Sequence, residues 1–229
     1  MRINKYIALN AEFSRRQADA LIKGGKVKIN NRIAELGDQV KKDDEIFVNN
    51  KKISGKEYVC LAYNKPKGVV SSSPHHGQTS IVQILRYSTK VHPVGRLDKD
   101  STGLIILTND PRLTKAILHW EKEYVVTINR VVKNDFLEKM QAGLVIPVAL
   151  SDPRTGKERK ISYRTKPAKV KKLGPKKFSI ILTEGKKRQI RLMCQALGYH
   201  VVSLKRVRIG KIKLDNLGEG KYREIKNLP

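Results

Sequence analysis

The apolar residues of this chain come only in short runs, and that limits the folds open to it. The longest unbroken run of branched aliphatic residues is Leu104–Leu107, four residues, far below the roughly 20 needed to span a bilayer. Val59–Tyr63, Leu104–Thr108, Tyr124–Ile128 and Phe178–Leu182 read as strands. Two helical faces accompany them. Asn109-Asp110-Pro111 starts one, with proline tolerated in the first turn, and Leu113, Ala116, Ile117 and Trp120 share its apolar side. Gln189–Leu197 is the other. Its buried side carries Ile190, Met193, Cys194 and Leu197, and the opposite side carries Arg188, Arg191 and Gln195. Strands and helices alternate without the spacing of regular βαβ units, which predicts an α+β fold.

The N-terminal residues form a pattern of their own. Ile3 and Ile7, with Tyr6, mark one short helical face. Ser14 and Gln17 form a capping-box signature ahead of Ala18, Leu21 and Ile22, and Gly24-Gly25 ends that helix. Val27–Ile29 and Glu45–Val48 alternate like strands, with turns at Asn30-Asn31 and Asn49-Asn50. A polar stretch follows. The expected organisation is a module over 1–53, a linker over 54–58 and a larger domain over 59–229.

Charge narrows the class of partner. Lys and Arg number 48 against 21 Asp and Glu, a net charge of +27, and +18 of it falls in residues 154–229. Such concentration points to a polyanion-binding surface. Lys169, Lys171, Lys172, Lys176 and Lys177, around Gly174-Pro175, read as a solvated loop that touches phosphate without reading sequence. A membrane surface would call for a basic amphipathic helix with large apolar residues, which is not found. Cys60 and Cys194 have no CxxC partner, so neither a disulfide framework nor a zinc site is expected. The first residues lack a signal-peptide pattern, and a cytoplasmic setting is the simplest expectation.

Gly95–Gly103 is polar, bounded by glycines and continuous with the apolar run, a setting where reactive side chains gather. Asp98 and Asp100 alternate as in a calcium loop, but the flanks are not helical and the twelfth position is Asn109. The acids are too sparse for a two-metal nuclease. His75-His76, beside Pro74 and Gly77, reads as a loop rather than a metal site. The residues alone therefore give one carboxylate in a basic RNA-binding protein, and no reaction.

Resemblance adds the reaction. Met1–Ile7, Ser14–Asp19, Gly25–Asn30 and Gly37–Val40 resemble the S4-like (alpha-L) RNA-binding domain. Gly95–Asp110, reading GRLDKDSTGLIILTND, is similar to the signature loop of bacterial RNA pseudouridine synthases of the RsuA/RluB/RluE/RluF family. Asn64–Gly68 resembles that family's lysine-proline-x-glycine element, Glu121–Tyr124 its lysine-x-tyrosine element, and Glu184–Cys194 its last motif. Gly198–Val201 and Leu204–Ile209 continue the similarity, which is greatest to the RluF subgroup. Two features depart from the pattern: Asn109-Asp110-Pro111-Arg112 stands where asparagine-aspartate-glycine is common, and the segment between Leu118 and Glu121 is short.

The resemblance implies an S4-like domain followed by a catalytic domain on a mixed, largely antiparallel sheet with flanking helices. It implies conversion of a uridine in folded RNA to pseudouridine, with no cofactor and no metal. Asp98 would be the catalytic carboxylate, acting as nucleophile on C1′ or as base. Tyr124 would stack on the flipped uracil and assist proton transfer at C5. Arg191 would pair with Asp98 and keep it ionised. Arg96 would occupy the space vacated by the flipped nucleotide, and Arg15, Arg16 and Arg188 would bind RNA. The implied substrate is large-subunit ribosomal RNA, free or in an assembling subunit, with tRNA as a further target; the sequence carries no sign of oligomeric state, and a monomer is the default expectation. The competing reading is a non-catalytic, ribosome-associated RNA binder.

Overall fold

The computed structural model of the protein describes residues 1–53, 55, 57–71, 74, 77–151 and 158–226. The chain divides into two compact units, Met1–Tyr58 and Val59–Pro229. Ser54 and Lys56 of the expected linker lie outside the described residues, as do His75 and His76.

In the first unit, α1 (Ile3–Asn10) and α2 (Arg15–Lys23) precede four short strands, β1 (Val27–Ile29), β2 (Arg32–Ile33), β3 (Ile46–Val48) and β4 (Lys51–Lys52). They form an antiparallel sheet in the order β2-β1-β3-β4. The capping box is present: the Ser14 amide donates to Gln17 Oε1 and the Gln17 amide to Ser14 Oγ, at 2.8 and 3.2 Å. These two bonds satisfy amides that a helix N-terminus otherwise leaves unpaired. Ile3, Ile7, Ala18, Ile22, Val27 and Ile46 fill the core. Asn49 and Asn50, at φ 49° and 60°, make the left-handed two-residue turn that joins twisted antiparallel strands. Tyr58 donates its hydroxyl to the Leu9 carbonyl at 2.6 Å, tying the end of the unit to α1.

The second unit runs β5 (Cys60–Lys65), α3 (Ile81–Ile84), β6 (His92–Val94), β7 (Thr102–Thr108), α4 (Pro111–His119), β8 (Lys122–Ile128), α5 (Asn134–Ala142), β9 (Val145–Ser151), β10 (Glu158–Arg164), β11 (Lys169–Gly174), β12 (Lys177–Leu182), α6 (Gln189–Ala196), β13 (Val201–Ile209), β14 (Ile212–Lys213) and β15 (Tyr222–Glu224). Nine strands share one sheet in the order β11-β12-β8-β13-β7-β5-β15, with β14 on β13 and β6 on β7. Among the described strands only β7 and β13 run parallel, so the expected mixed, largely antiparallel sheet with flanking helices is what forms. β9 and β10 make a separate hairpin.

The two halves of this sheet explain two kinds of sequence pattern. β5 and β7 are covered on both faces. Ala62, Leu104 and Ile106 meet α4 through Ile117, while Leu61, Tyr63, Ile105 and Leu107 meet Ile81 and Val91. Strands buried on both faces read as unbroken apolar runs. β8 and β12 alternate instead, turning Val126, Ile128, Phe178, Ile180 and Leu182 toward Phe136 of α5 and Met193 of α6. The halves meet where Lys205 and Arg206 of β13 pair with Thr102 and Gly103 of β7. A Cβ at Gly103 would overlap the Arg206 carbonyl, and Gly103 has φ 102°, so only glycine fits.

The structure corrects two local expectations. Lys169, Lys171, Lys172 and Lys177 belong to paired strands, not to a solvated loop; of the five lysines Lys176 alone lies in the turn, Pro175-Lys176. β11 is an edge strand, whose backbone is paired on one side while its charged side chains stay in water, so its composition mimics a loop. In α4, Ile117 is buried and Leu113 and Trp120 pack beside it, but Ala116 faces outward.

Candidate active site

Asp98 stands on the loop that leads into β7, and buried groups hold that loop at several points. Leu97 is buried, its amide taking a bond to Ser71 Oγ and its carbonyl one from the same hydroxyl, both 2.9 Å. The Ser101 amide closes a turn onto the Asp98 carbonyl at 3.0 Å. The Lys99 carbonyl accepts from the Gly68 amide at 2.9 Å and from Lys65 Nζ at 3.4 Å. Lys65 has no exposed surface, and its ammonium also donates to the Pro66 and Val69 carbonyls, each at 2.7 Å. Burial pushes this amine down to about 8, against the opposing pull of Asp100, Asp98 and Glu219. The lysine-proline-x-glycine element is therefore more than a turn. Its lysine gathers carbonyls from the turn and from the Asp98 loop.

A cavity of about 490 Å³ opens above this loop and is lined by Arg96, Asp98, Leu118, Tyr124, Arg188 and Ile190, among others. Tyr124 reaches it from β8, beyond α4. Lys122 fixes that connection by donating Nζ to the Ile117, Leu118 and Trp120 carbonyls, satisfying the end of the helix. Burial lowers Lys122 to about 8, helped by the nearby Arg206 charge. On the far side, the segment before α6 is braced by Glu184, which accepts from Tyr163 Oη, the Lys166 amide and Gln189 Nε2 at 2.6, 2.9 and 2.7 Å. Arg188 follows in the left-handed conformation, φ 57° and ψ 26°. That turn carries its guanidinium to 3.8 Å from the Asp98 carboxylate, with side chains 45% and 31% exposed respectively. A carboxylate, a phenol and a cation thus share one concave site.

The family model for RNA pseudouridylate synthase matches residues 58–196, and that of the S4 domain matches residues 1–46. The chain belongs to the RNA pseudouridylate synthase family. It is 40% identical to the dual-specificity RNA pseudouridine synthase RluF of Escherichia coli K12 over 98% of this chain and 75% of that protein. It is 34% identical to ribosomal large subunit pseudouridine synthase B of Bacillus subtilis 168, over 98% of this chain and 91% of that one. It is 35% identical to ribosomal small subunit pseudouridine synthase A of Haemophilus influenzae Rd, over 98% and 96%. A crystal structure of a pseudouridylate synthase superposes with a TM-score of 0.66 at 33% identity, covering 99% of this chain and 96% of that one. The expected family is the one found. As a pseudouridine synthase, the protein is an enzyme that isomerises uridine in RNA, and the non-catalytic reading is not favoured.

Within this pseudouridine synthase the site residues distribute unevenly. Asp98, Tyr124, Arg96 and Arg188 line the cavity together. Arg191 does not pair with Asp98 as expected. Its Nη1 donates to the Val201 carbonyl at 3.3 Å and its Nη2 to the Asp100 carbonyl at 3.4 Å, and Arg188 holds the ion pair instead. The reason is local: Arg188 precedes α6 in a left-handed turn, so it leaves the helical face that periodicity assigns to both arginines. Arg15 and Arg16 lie in the first unit, exposed at the start of α2. Lys65, Ser71, Glu184 and Gln189 support the site without having been expected to. Only its partners in three dimensions mark Ser71, whereas Lys65 falls inside the lysine-proline-x-glycine element and Glu184 and Gln189 inside the last motif. Among the described residues no helix is long and apolar enough to cross a membrane.

Proposed function

We propose that the protein isomerises a specific uridine of large-subunit ribosomal RNA, with Asp98 as its catalytic carboxylate. One observation carries the reading: Asp98 and Tyr124 line the same cavity. A uridine in folded RNA must leave the stack before its glycosidic bond can be reached, and a flipped base is held by stacking on an aromatic ring. Asp98 acts at the ribose, as nucleophile on C1′ or as base. The Tyr124 ring stacks on uracil while its hydroxyl assists proton transfer at C5. Uracil detaches, rotates and rejoins through C5. No metal or cofactor takes part.

The remaining residues bind and orient. Arg188 faces the carboxylate and neutralises it as the base enters. Arg191 acts more remotely, holding the Asp100 carbonyl next to the reacting loop. Arg96, on the cavity wall, fills the space the nucleotide leaves. Arg15 and Arg16 form no ion pair among the described residues and take RNA phosphates. The Bacillus subtilis relative is named for the large ribosomal subunit, which supports that substrate; tRNA is a further target in this reading. The enzyme works as a cytoplasmic monomer. Mapping pseudouridines in total RNA from a deletion strain and its parent tests the assignment. Loss of one or a few sites in large-subunit RNA is expected, and an unchanged map would overturn it.

A further inference from the structure

The β11-β12-β8-β13 half of the sheet in the second unit has one open face. α5 and α6 cover the side of β8, β12 and β13 that carries Val126, Ile180 and Leu204. On the other side, cross-strand register aligns Lys171, Ser179, Val125 and Lys205 in one row across four strands. A second row runs Lys169, Ile181, Glu123 and Arg208, and a third Lys177, Thr127 and Ser203. Among the described residues, Val125, Ile181 and Val207 join no apolar cluster, so no helix packs there. A cavity of about 420 Å³ on this face lies among Glu123, Lys205, Arg208 and Lys213. Arg208 is already engaged by Glu123 at 2.8 Å and Glu121 at 3.6 Å. Lys169, Lys171, Lys177 and Lys205 are exposed and form no ion pair among the described residues. From Lys171 to Lys205 is three inter-strand steps, roughly 14 Å at the usual strand spacing.

We infer that this open sheet face, opposite the Asp98 cavity, is a second docking surface for the phosphate backbone of RNA. Charge complementarity names the occupant. Four uncommitted lysines stand among side chains that are chiefly small or β-branched, with no aromatic residue in the three rows, and the acids nearby are already engaged: Glu121 and Glu123 by Arg208, and Asp215, which also lines the cavity, by Arg223. Such a surface adds affinity and salt dependence without sequence preference. It goes beyond the function proposed above and needs no turnover at Asp98. A substrate held at the cavity would be gripped on a second side of the same sheet by a distant segment of a large RNA.

The test compares two variants of equal charge in the full-length protein. One carries Lys169→Gln, Lys171→Gln, Lys177→Gln and Lys205→Gln; the control carries Lys90→Gln, Lys133→Gln, Lys139→Gln and Lys226→Gln. Binding to transcribed large-subunit ribosomal RNA is titrated at several salt concentrations, with melting curves confirming both folds. The sheet-face variant is expected to lose about 3 units of log–log salt slope, since each phosphate contact contributes roughly 0.7–0.9. The control is expected to lose less than half of that. Equal losses in both would overturn the surface and leave only net charge. An unchanged RNA slope with loss of binding to phosphatidylglycerol vesicles would overturn it in favour of a membrane. Pseudouridine formation on a short hairpin is a separate measurement, so failure of the enzymatic reading leaves this one still decidable.

Discussion

The two loops that face each other across the cavity are held in different ways. The Asp98 loop is fixed along its backbone: Ser71 grips Leu97 from both sides, Lys65 and Gly68 grip Lys99, and Ser101 closes the turn. The Arg188 loop is braced mainly at its base, through Glu184, Gln189 and Lys186, whose ammonium lies over the Tyr163 ring, and ends in a left-handed residue with a half-exposed side chain. A non-glycine residue in that conformation stores strain of order 1–3 kcal/mol and persists where the surroundings enforce it. The contrast separates two duties. In the proposed reaction the Asp98 carboxylate has a preset position, as preorganised catalysis requires, while the half-exposed Arg188 opposite it has room to follow an incoming nucleotide.

Breaking the rigid side has the largest expected effect. Asp98→Asn is nearly isosteric and should slow single-turnover pseudouridine formation by at least about 10³-fold, at unchanged melting temperature and RNA affinity. Wild-type yield in chemical mapping would remove Asp98 from the reaction. Tyr124→Phe keeps the ring and loses the hydroxyl. Its rate should fall about 10²-fold with binding preserved, and an unchanged rate would reduce Tyr124 to a stacking platform.

Lys65→Met tests the support itself. Loosening the loop should slow the reaction about tenfold, since small misplacements near a reacting group cost up to about 10²-fold. A second readout is pH. Burial holds the Lys65 amine at about 8 rather than 10.5 in the folded protein. Below pH 8 both states are protonated and the buried charge weighs against folding. Between about 8 and 10.5 the unfolded chain keeps a proton that the folded one has released, so stability rises with pH. Lys65 adds roughly 3 kcal/mol to this rise in wild type, and the variant keeps only the similar contribution of Lys122. Urea unfolding at pH 7 and pH 10 measures it, and parallel shifts in both proteins would rule out a buried charge.

The loose side should show the smallest effect. Arg188 pairs with Asp98 at 3.8 Å in partial contact with water, which limits its worth to under about 1 kcal/mol, or about fivefold in rate. Arg188→Gln should still slow the chemical step more than Arg191→Gln does. The reverse ranking in single-turnover rates would reinstate the Arg191–Asp98 pair.

Much of this arrangement was legible in the sequence where local patterns and burial agree. The run Leu104–Leu107 announced a doubly covered strand, Ser14 and Gln17 announced a helix start, and the loop ending at Gly103 announced Asp98. Periodicity failed where one backbone angle overrides it, as at Arg188. Composition failed on β11, where lysines at a sheet edge look like lysines in a loop. Lys65 was readable only as part of a short motif, because the carbonyls it collects come from Pro66, Val69 and Lys99, and the last is remote in sequence. β13 was not assigned as a strand: bulges between Val201 and Ser203 and between Arg206 and Arg208 interrupt its alternation.

Asp98 and Tyr124 precede the strand that brings them together. β7 and β8 are not neighbours in the sheet; β13 lies between them and pairs with both. A growing polypeptide therefore carries both residues long before it can assemble the pocket. Synthesis at about 5–20 residues per second leaves a delay of roughly 4–16 seconds between the emergence of Tyr124 and that of β13. During that interval a partly made chain carries Asp98 with no pocket around it, even if its N-terminal unit has already folded. The pocket becomes available late, when β13 has slotted into the middle of the sheet.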